Sequence, residues 1–307
     1  MNEALSKLAD DFFKNTLNSS PTSAIMRGYR EYFDQIEELT EARFDQNLKD
    51  LDKFEKRLNE IDFNNLSNKE KVTHGMLEYA FGSNKDSLLD KSWEFGAGVS
   101  GFTGYLIDYN QQMFIPDLES ADLLLKRLEL YNQFFNQVSL VQKKGLDGNR
   151  VATERNILRT IDQIESYLKT SLEEDPLLLV NFSPEVSEED VINWKEKAKL
   201  IIDGYVRPSV NTYLEQLKSE HLPKGRSDMN PGIMWIEGGD DIYLRSLRKF
   251  TGNKDITVQQ VHETGLSEIK RLKKEFLEIG KKVFKDVTTP EEVIYKMQTE
   301  PIDALWK

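Results

Sequence analysis

Apolar side chains recur at steps of three and four residues along most of this sequence, and that spacing commits the chain to helices. Phe44, Leu48, Leu51, Phe54, Leu58 and Ile61 fall on one side of a helix, because consecutive residues are about 100° apart around the axis. The same spacing joins Leu5, Leu8, Phe12 and Phe13; Leu124, Leu128, Tyr131, Phe135 and Val138; and Ile157, Ile161, Ile164 and Leu168. Each set predicts an amphipathic helix with one stripe to bury. Strand-like runs are short: Leu177 to Phe182 and Ile233 to Ile236 are bounded by Pro and Gly, and neither alternates. With no βαβ rhythm and no fixed-period repeat, the expected fold class is all-α, a multi-helix array.

Helix ends carry their own signals. Ser67 to Glu70 and Thr257 to Gln260 are capping boxes, in which a hydroxyl and the side chain three residues on satisfy orphan backbone donors. Thr289-Pro290-Glu291-Glu292 combines a Thr cap, Pro at the first helical position and Glu at the third. Lys143-Lys144-Gly145 reads as a stop, with positive charge on the last carbonyls and glycine beyond them. The spacing from Val191 to Leu217 continues through Trp194, Ile201, Ile202, Tyr205, Val210 and Leu214, but Pro208 removes a donor. Two helices end to end are expected there.

A chain of 307 residues can bury roughly three quarters of its unfolded surface, so core size imposes no limit. The two composition shifts, the loops Gly96 to Gly104 and His221 to Gly232, do not have the character of long linkers, and residues 1–307 are expected to form a single helical body. Forty-one Lys and Arg against 53 Asp and Glu give 41 − 53 = −12, which argues against nucleic acid or an anionic membrane as partner. No Cys is present, which excludes a disulfide framework, a thiolate metal site and a cysteine nucleophile. The first twenty residues lack the basic end and apolar run of a secretory leader, and no apolar stretch reaches the ~18 residues of a membrane span. A cytoplasmic protein is expected as the chain is written, or an exported one if a leader has been removed.

Motifs that carry chemistry are few. Gly96-Ala-Gly98-Val-Ser-Gly101, with Asp117 further on, matches the dinucleotide-binding fingerprint letter for letter, but that motif requires a strand before it and a helix after it. LLDKSWEF precedes it and reads as a helix end, so a loop between helices is the better reading. Ser100 lacks the glycine that a nucleophile elbow needs at Phe102. The three histidines, His74, His221 and His262, are too far apart in sequence for two to share a helix face as a zinc pair does. His262-Glu263-Thr264-Gly265 begins like a zinc-peptidase motif, with Leu266 packing where the second histidine would stand. The acidic runs Glu173-Glu174, Glu188-Glu189-Asp190 and Asp240-Asp241 suit the first turns of helices, where acids face the positive end of the macrodipole. Lys270, Arg271, Lys273, Lys274, Lys281, Lys282 and Lys285 interleave with Glu268, Glu275 and Glu278. A solvated, ion-paired helix face is expected, with Arg271 on Glu275 and Glu278 on Lys282 at i, i+4.

The stretch Gly238 to Gly280, with Gly239, Tyr243, Leu247, Arg248, Thr251 and Gly265, resembles the bacterial domain-of-unknown-function 885 family. A diffuse likeness in the same order spans nearly the whole chain. The resemblance implies one half, the N-terminal half, of a larger all-helical, zincin-like metallopeptidase fold, with this half forming one wall of a substrate channel. It places Tyr243, Arg248 and His262 as channel candidates, Arg248 to hold a peptide carboxylate and Tyr243 to support an oxyanion. The family's zinc ligands lie in a His-Glu-x-x-His motif that this chain lacks, so no metal or other cofactor is expected in the chain itself. Zinc is expected in a missing C-terminal half, and the chain alone is expected to be inactive. Ile302, Leu305 and Trp306 near Lys307 are expected to need cover, which reads as a truncated domain with an apolar face open to self-association. Two functions stay open: part of a peptide hydrolase whose partner is a peptide substrate, or a helical peptide- or protein-binding protein without catalysis.

Overall fold

The stripes beginning at Leu5 and Phe44 form helices α1 (Glu3–Ser19) and α3 (Glu41–Asn59), separated by the short α2 (Pro21–Met26). The computed structural model describes residues 2–96, 109–284 and 286–299. These residues are predominantly helical and group into two compact units, Met1–Asp240 and Asp241–Lys307. The fold is all-α. In the first unit α1 and α3 close on α4 (Asn68–Asp90), burying Leu5, Leu8, Leu51, Phe54, Leu58, Leu77 and Phe81 together. Phe12 sits edge-on to Phe54 and Phe81, at 5.6 and 4.7 Å between ring centres. The capping box at α4 forms as predicted, and Glu70 accepts from both the Ser67 hydroxyl (2.7 Å) and the Ser67 backbone N–H (2.8 Å).

A second and larger core is built by α6 (Leu118–Glu129), α7 (Tyr131–Asp147), α8 (Glu154–Lys169), α9 (Glu188–Ile201) and α10 (Arg207–Gln216). Tyr131, Phe134, Leu128 and Ile157 are fully enclosed in it, and the Trp194 indole donates to the Ala121 carbonyl at 2.8 Å. Before these helices lie α5 (Tyr109–Gln112) and β1 (Phe114–Ile115); β2 (Asn181–Phe182) pairs with β1 in parallel, Phe114 opposite Asn181. Of the two strand candidates, then, only the end of the first is extended, and Ile233–Trp235 is a 3-10 turn.

Three local expectations are revised. The single stripe from Leu124 to Val138 is divided at Leu130, whose N–H bonds to Arg127 three residues back at 3.0 Å; a tightened turn of this kind needs no Gly or Pro and leaves no mark in the pattern. Gly145 is not a stop, since α7 runs on to Asp147. A Cβ there would overlap the Glu94 carbonyl, so glycine is needed for the close approach of the Ser92–Phe95 turn. Pro208 does divide its stretch, but through a π-helical turn at Ile202–Val206, which absorbs the missing donor and lets α10 begin with the proline in its first turn.

The buried charges of this core are matched. Asp175, with no exposure, receives the Arg207 guanidinium at 2.9 and 3.1 Å, and Arg207 also donates to the Thr170 carbonyl at 2.9 Å. Arg127 donates to the Thr22 hydroxyl at 2.6 Å and to the Gln35 carbonyl, while Glu37 accepts from Thr22 on both backbone and hydroxyl. The loop after α10 is pinned by Arg226, which donates to the carbonyls of Val151, Asn230 and Gly232.

The second unit holds α11 (Gly239–Thr251), which starts at the boundary, α12 (Val258–Val283) and α13 (Pro290–Thr299). The Thr289 cap forms in both directions with Glu292, each bond 3.2 Å. Phe284, Val287 and Val293 form a small core with Phe276 and Leu277, and a Cβ on Gly280 would collide with Val293. Ala97 to Asp108, including most of the fingerprint match, and Ile302, Leu305 and Trp306 lie outside the described residues. Among the described residues no helix is long and apolar enough to cross a membrane.

Replacing Arg207 with Ala leaves the Asp175 carboxylate buried and unpaired, and is expected to lower unfolding stability by about 3–5 kcal/mol, measured by urea denaturation. The Ser67 hydroxyl, followed by the backbone N–H groups of Ser67 and Asn2, holds the Glu70 carboxyl down at about 2, from an ordinary 4.5. Because the folded value is depressed, this contribution is present above about pH 4.5 and is lost as pH falls toward 2. Glu70→Gln is expected to flatten that part of the melting-temperature profile, with no difference in slope from the parent above pH 6.

Candidate functional site

Tyr243 and Arg248 both stand on α11 and both are exposed. Five positions on a helix is a turn of about 140°, so their side chains leave the helix in different directions. Tyr243 shares its side with Leu247 and Phe250, and Arg248 is on the polar side with no ion pair among the described residues. His262 is exposed in the first third of α12, and its neighbour Glu263 accepts from Gln259 at 2.7 Å. Leu266 does not pack as the sequence reading expects: it is 56% exposed.

Leu266 is one of a set. Val258, Ile269 and Leu272, 48 to 53% exposed, lie with it and His262 along the same broad side of α12, and Gly265 in their midst has no neighbour within 4 Å of a built Cβ. The opposite side carries the charges. Arg271 bridges Glu268 and Glu275 at 2.7 and 2.6 Å, and Glu278 pairs with Lys274 at 3.9 Å in place of the expected Lys282. The ion-paired solvent face is as predicted in kind, while the apolar face is bare.

The three histidines have separate surroundings. His74 packs edge-on to Phe63 at 5.2 Å; His221 is buried with Nδ1 3.4 Å from the Gln216 carbonyl, and burial pushes its pKa down; His262 is on the second unit. Among the described residues no three His, Asp or Glu gather in a way that could hold a metal ion. The acidic runs are structural: Asp190 in the first turn of α9 bonds back to the Ser187 cap at 2.6 and 3.1 Å, and Glu173 and Glu174 lie in a 3-10 turn.

One concave feature was not anticipated. Where the three-helix core meets the larger one, within the first unit, a cleft of about 370 Å³ opens between α1, α3 and α4. Its end wall is Trp93 stacked on Phe44, ring centres 3.7 Å apart and planes 19° from parallel. Asn15, Asn47 and Asn84 line it from three different helices. A carboxamide on a helix face is an unremarkable letter in a sequence, and only the packing of three helices brings these together.

An all-α fold is the class that the coordinates define. The sequence profile of a family of bacterial proteins of unknown function, DUF885, matches residues 21–304, and the chain belongs to that family. The match covers nearly the whole chain, so a resemblance confined to the family's N-terminal half is not borne out. The chain is also similar in fold to the crystal structure of the "putative lipoprotein" from Colwellia psychrerythraea, with a TM-score of 0.75 at 16% identity. The likeness covers 97% of this chain and 55% of that one, so this chain spans little more than half the length of the solved relative. No curated protein matches the sequence.

Arg248→Ala and Tyr243→Phe remove exposed groups that have no hydrogen bond or ion pair among the described residues, and each is expected to change unfolding stability by less than about 0.5 kcal/mol. A larger loss on either substitution, by chemical denaturation, would assign that residue to packing.

Proposed function

We propose that this chain is a non-catalytic helical portion of a zinc metallopeptidase-like protein, contributing one wall of a peptide channel whose metal and cleaving groups belong to polypeptide outside it. The observation that carries this reading is the bare side of α12, where Val258, Leu266, Ile269 and Leu272 are all about half exposed. A contiguous apolar face of this kind calls for a covering surface. A solved relative of nearly twice the length supports the idea of further polypeptide around the same fold.

In such a protein zinc would lower the pKa of a bound water and polarise the peptide carbonyl. The residues of this chain would do other work. Tyr243, on the same side of α11 as Leu247 and Phe250, would meet a substrate or a covering helix, and its hydroxyl, without a partner among the described residues, would donate to a developing oxyanion. Arg248, turned away from it, serves a separate contact, with a guanidinium fork suited to a carboxylate. The relative's description as a lipoprotein favours the exported over the cytoplasmic alternative. A second reading, a helical peptide- or protein-binding protein without catalysis, draws on the first unit, which encloses its own cores and carries a cleft.

The purified chain, supplied with zinc and a mixed peptide substrate, is expected to show neither turnover nor stoichiometric metal; turnover with one bound zinc overturns the proposal. Light scattering is expected to show association that grows with concentration and disappears when Ile269 and Leu272 are both replaced by Glu. A monomer that stays monodisperse and binds no apolar dye would favour the second reading.

A further inference from the structure

The cleft between α1, α3 and α4 has the chemistry of a binding site that neither the family match nor the solved relative assigns. Asn15, Asn47 and Asn84 reach it from three helices, and their carboxamides have no hydrogen-bond partner among the described residues. Each carboxamide presents a donor and an acceptor side by side. A peptide group presents the complementary pair, so three such side chains around one hollow can hold an amide backbone at two or three points. The rest of the lining is mixed, with Leu39, Leu51, Leu88 and the Phe44–Trp93 stack beside the hydroxyls of Thr16, Ser19, Ser20, Ser87 and Ser92, and the surface presented to the hollow is mainly apolar. That lining takes an apolar side chain more readily than the hydroxyl-covered ring of a sugar.

Charge narrows the ligand further. Among the described residues no Lys or Arg lines the cleft, whereas Glu37 and Glu38 do. Both carboxylates are already engaged, Glu37 by Thr22 and Glu38 by Thr40 and Arg43. The Thr40 hydroxyl, and Arg43 after it, keep the Glu38 carboxyl below its usual value, so it stays negative at neutral pH. Phosphate, nucleotide and free carboxylate ligands are therefore disfavoured, because nothing in the cleft offsets their charge. A volume of about 370 Å³ falls in the range of small-ligand pockets.

We infer that this cleft binds a short uncharged peptide segment, gripped through its backbone amides by Asn15, Asn47 and Asn84 and seating an apolar side chain against Leu51, Leu88 and Trp93. The site is built wholly from the first unit, while Tyr243 and Arg248 belong to the second, and it stands whether or not the chain forms part of a peptidase.

Calorimetric titration of the full chain with N-acetyl-leucyl-leucinamide tests the inference, with maltose as the contrasting neutral ligand and N-acetyl-leucyl-leucine, bearing a free carboxylate, as the charged one. Saturable binding of the amide is expected, at least several-fold weaker for the acid and absent for maltose. Asn47→Ala and Asn84→Ala are each expected to weaken it about five- to tenfold, the loss of one hydrogen bond. Asn84 is exposed, so its variant keeps the test open if Asn47→Ala does not fold, as judged by thermal melting. No saturable heat with the amide, equal or tighter binding of maltose, or affinity unchanged in the folded Asn variants would each overturn the inference. Turnover of peptides is a separate measurement, so its absence leaves this result standing.

Discussion

The Arg150 guanidinium ties the first unit together. It donates to the Asp90 carbonyl at 2.5 Å and to the Glu237 carbonyl at 2.6 Å, meets the Glu94 carboxylate at 2.7 Å and lies over the Phe95 ring at 5.1 Å. One side chain thus joins the end of α4, the turn that follows it, the end of α7 and the segment leading to α11. Glu94 and Arg150 are both largely removed from water, so neither charge can be left without the other. Gly145 makes the junction possible, since any side chain there would occupy the place of the Glu94 carbonyl.

That junction explains why the cleft exists and where it is. The α1–α3–α4 core and the larger core are separate clusters, and the Ser92–Phe95 turn, fixed by Arg150 and seated on α7 at Gly145, sets the position of Trp93 between them. Phe44 then stacks on Trp93 and closes one end of the hollow. Two cores that meet through a charged latch need not fill the space between them, and polar side chains at the seam keep it open to water.

The second unit follows a different rule. Its small core of Phe284, Val287 and Val293 is closed by Gly280, but the N-terminal two thirds of α12 contribute nothing to it. Capping box, ion pairs and length support a helix there even so. A helix held by its own local interactions can keep an apolar face ready for a surface that arrives from elsewhere, which is the physical content of the proposed channel wall.

The sequence alone determined the helices and their ends, because three- and four-residue spacing and capping chemistry are local. Ser67, Thr257 and Thr289 cap where they were expected to, and the family that the Gly238 to Gly280 stretch resembles is the one whose profile matches residues 21–304. Tertiary structure decided the rest. Gly145 turned out to be a contact and not a stop, Pro208 was accommodated by a π turn, and Leu266 stands open although its periodicity calls for burial. Tyr243 and Arg248, close in sequence, point apart; Asn15, Asn47 and Asn84, distant in sequence, converge. Periodicity reports which side of a helix is apolar, but only the arrangement of helices decides what that side meets.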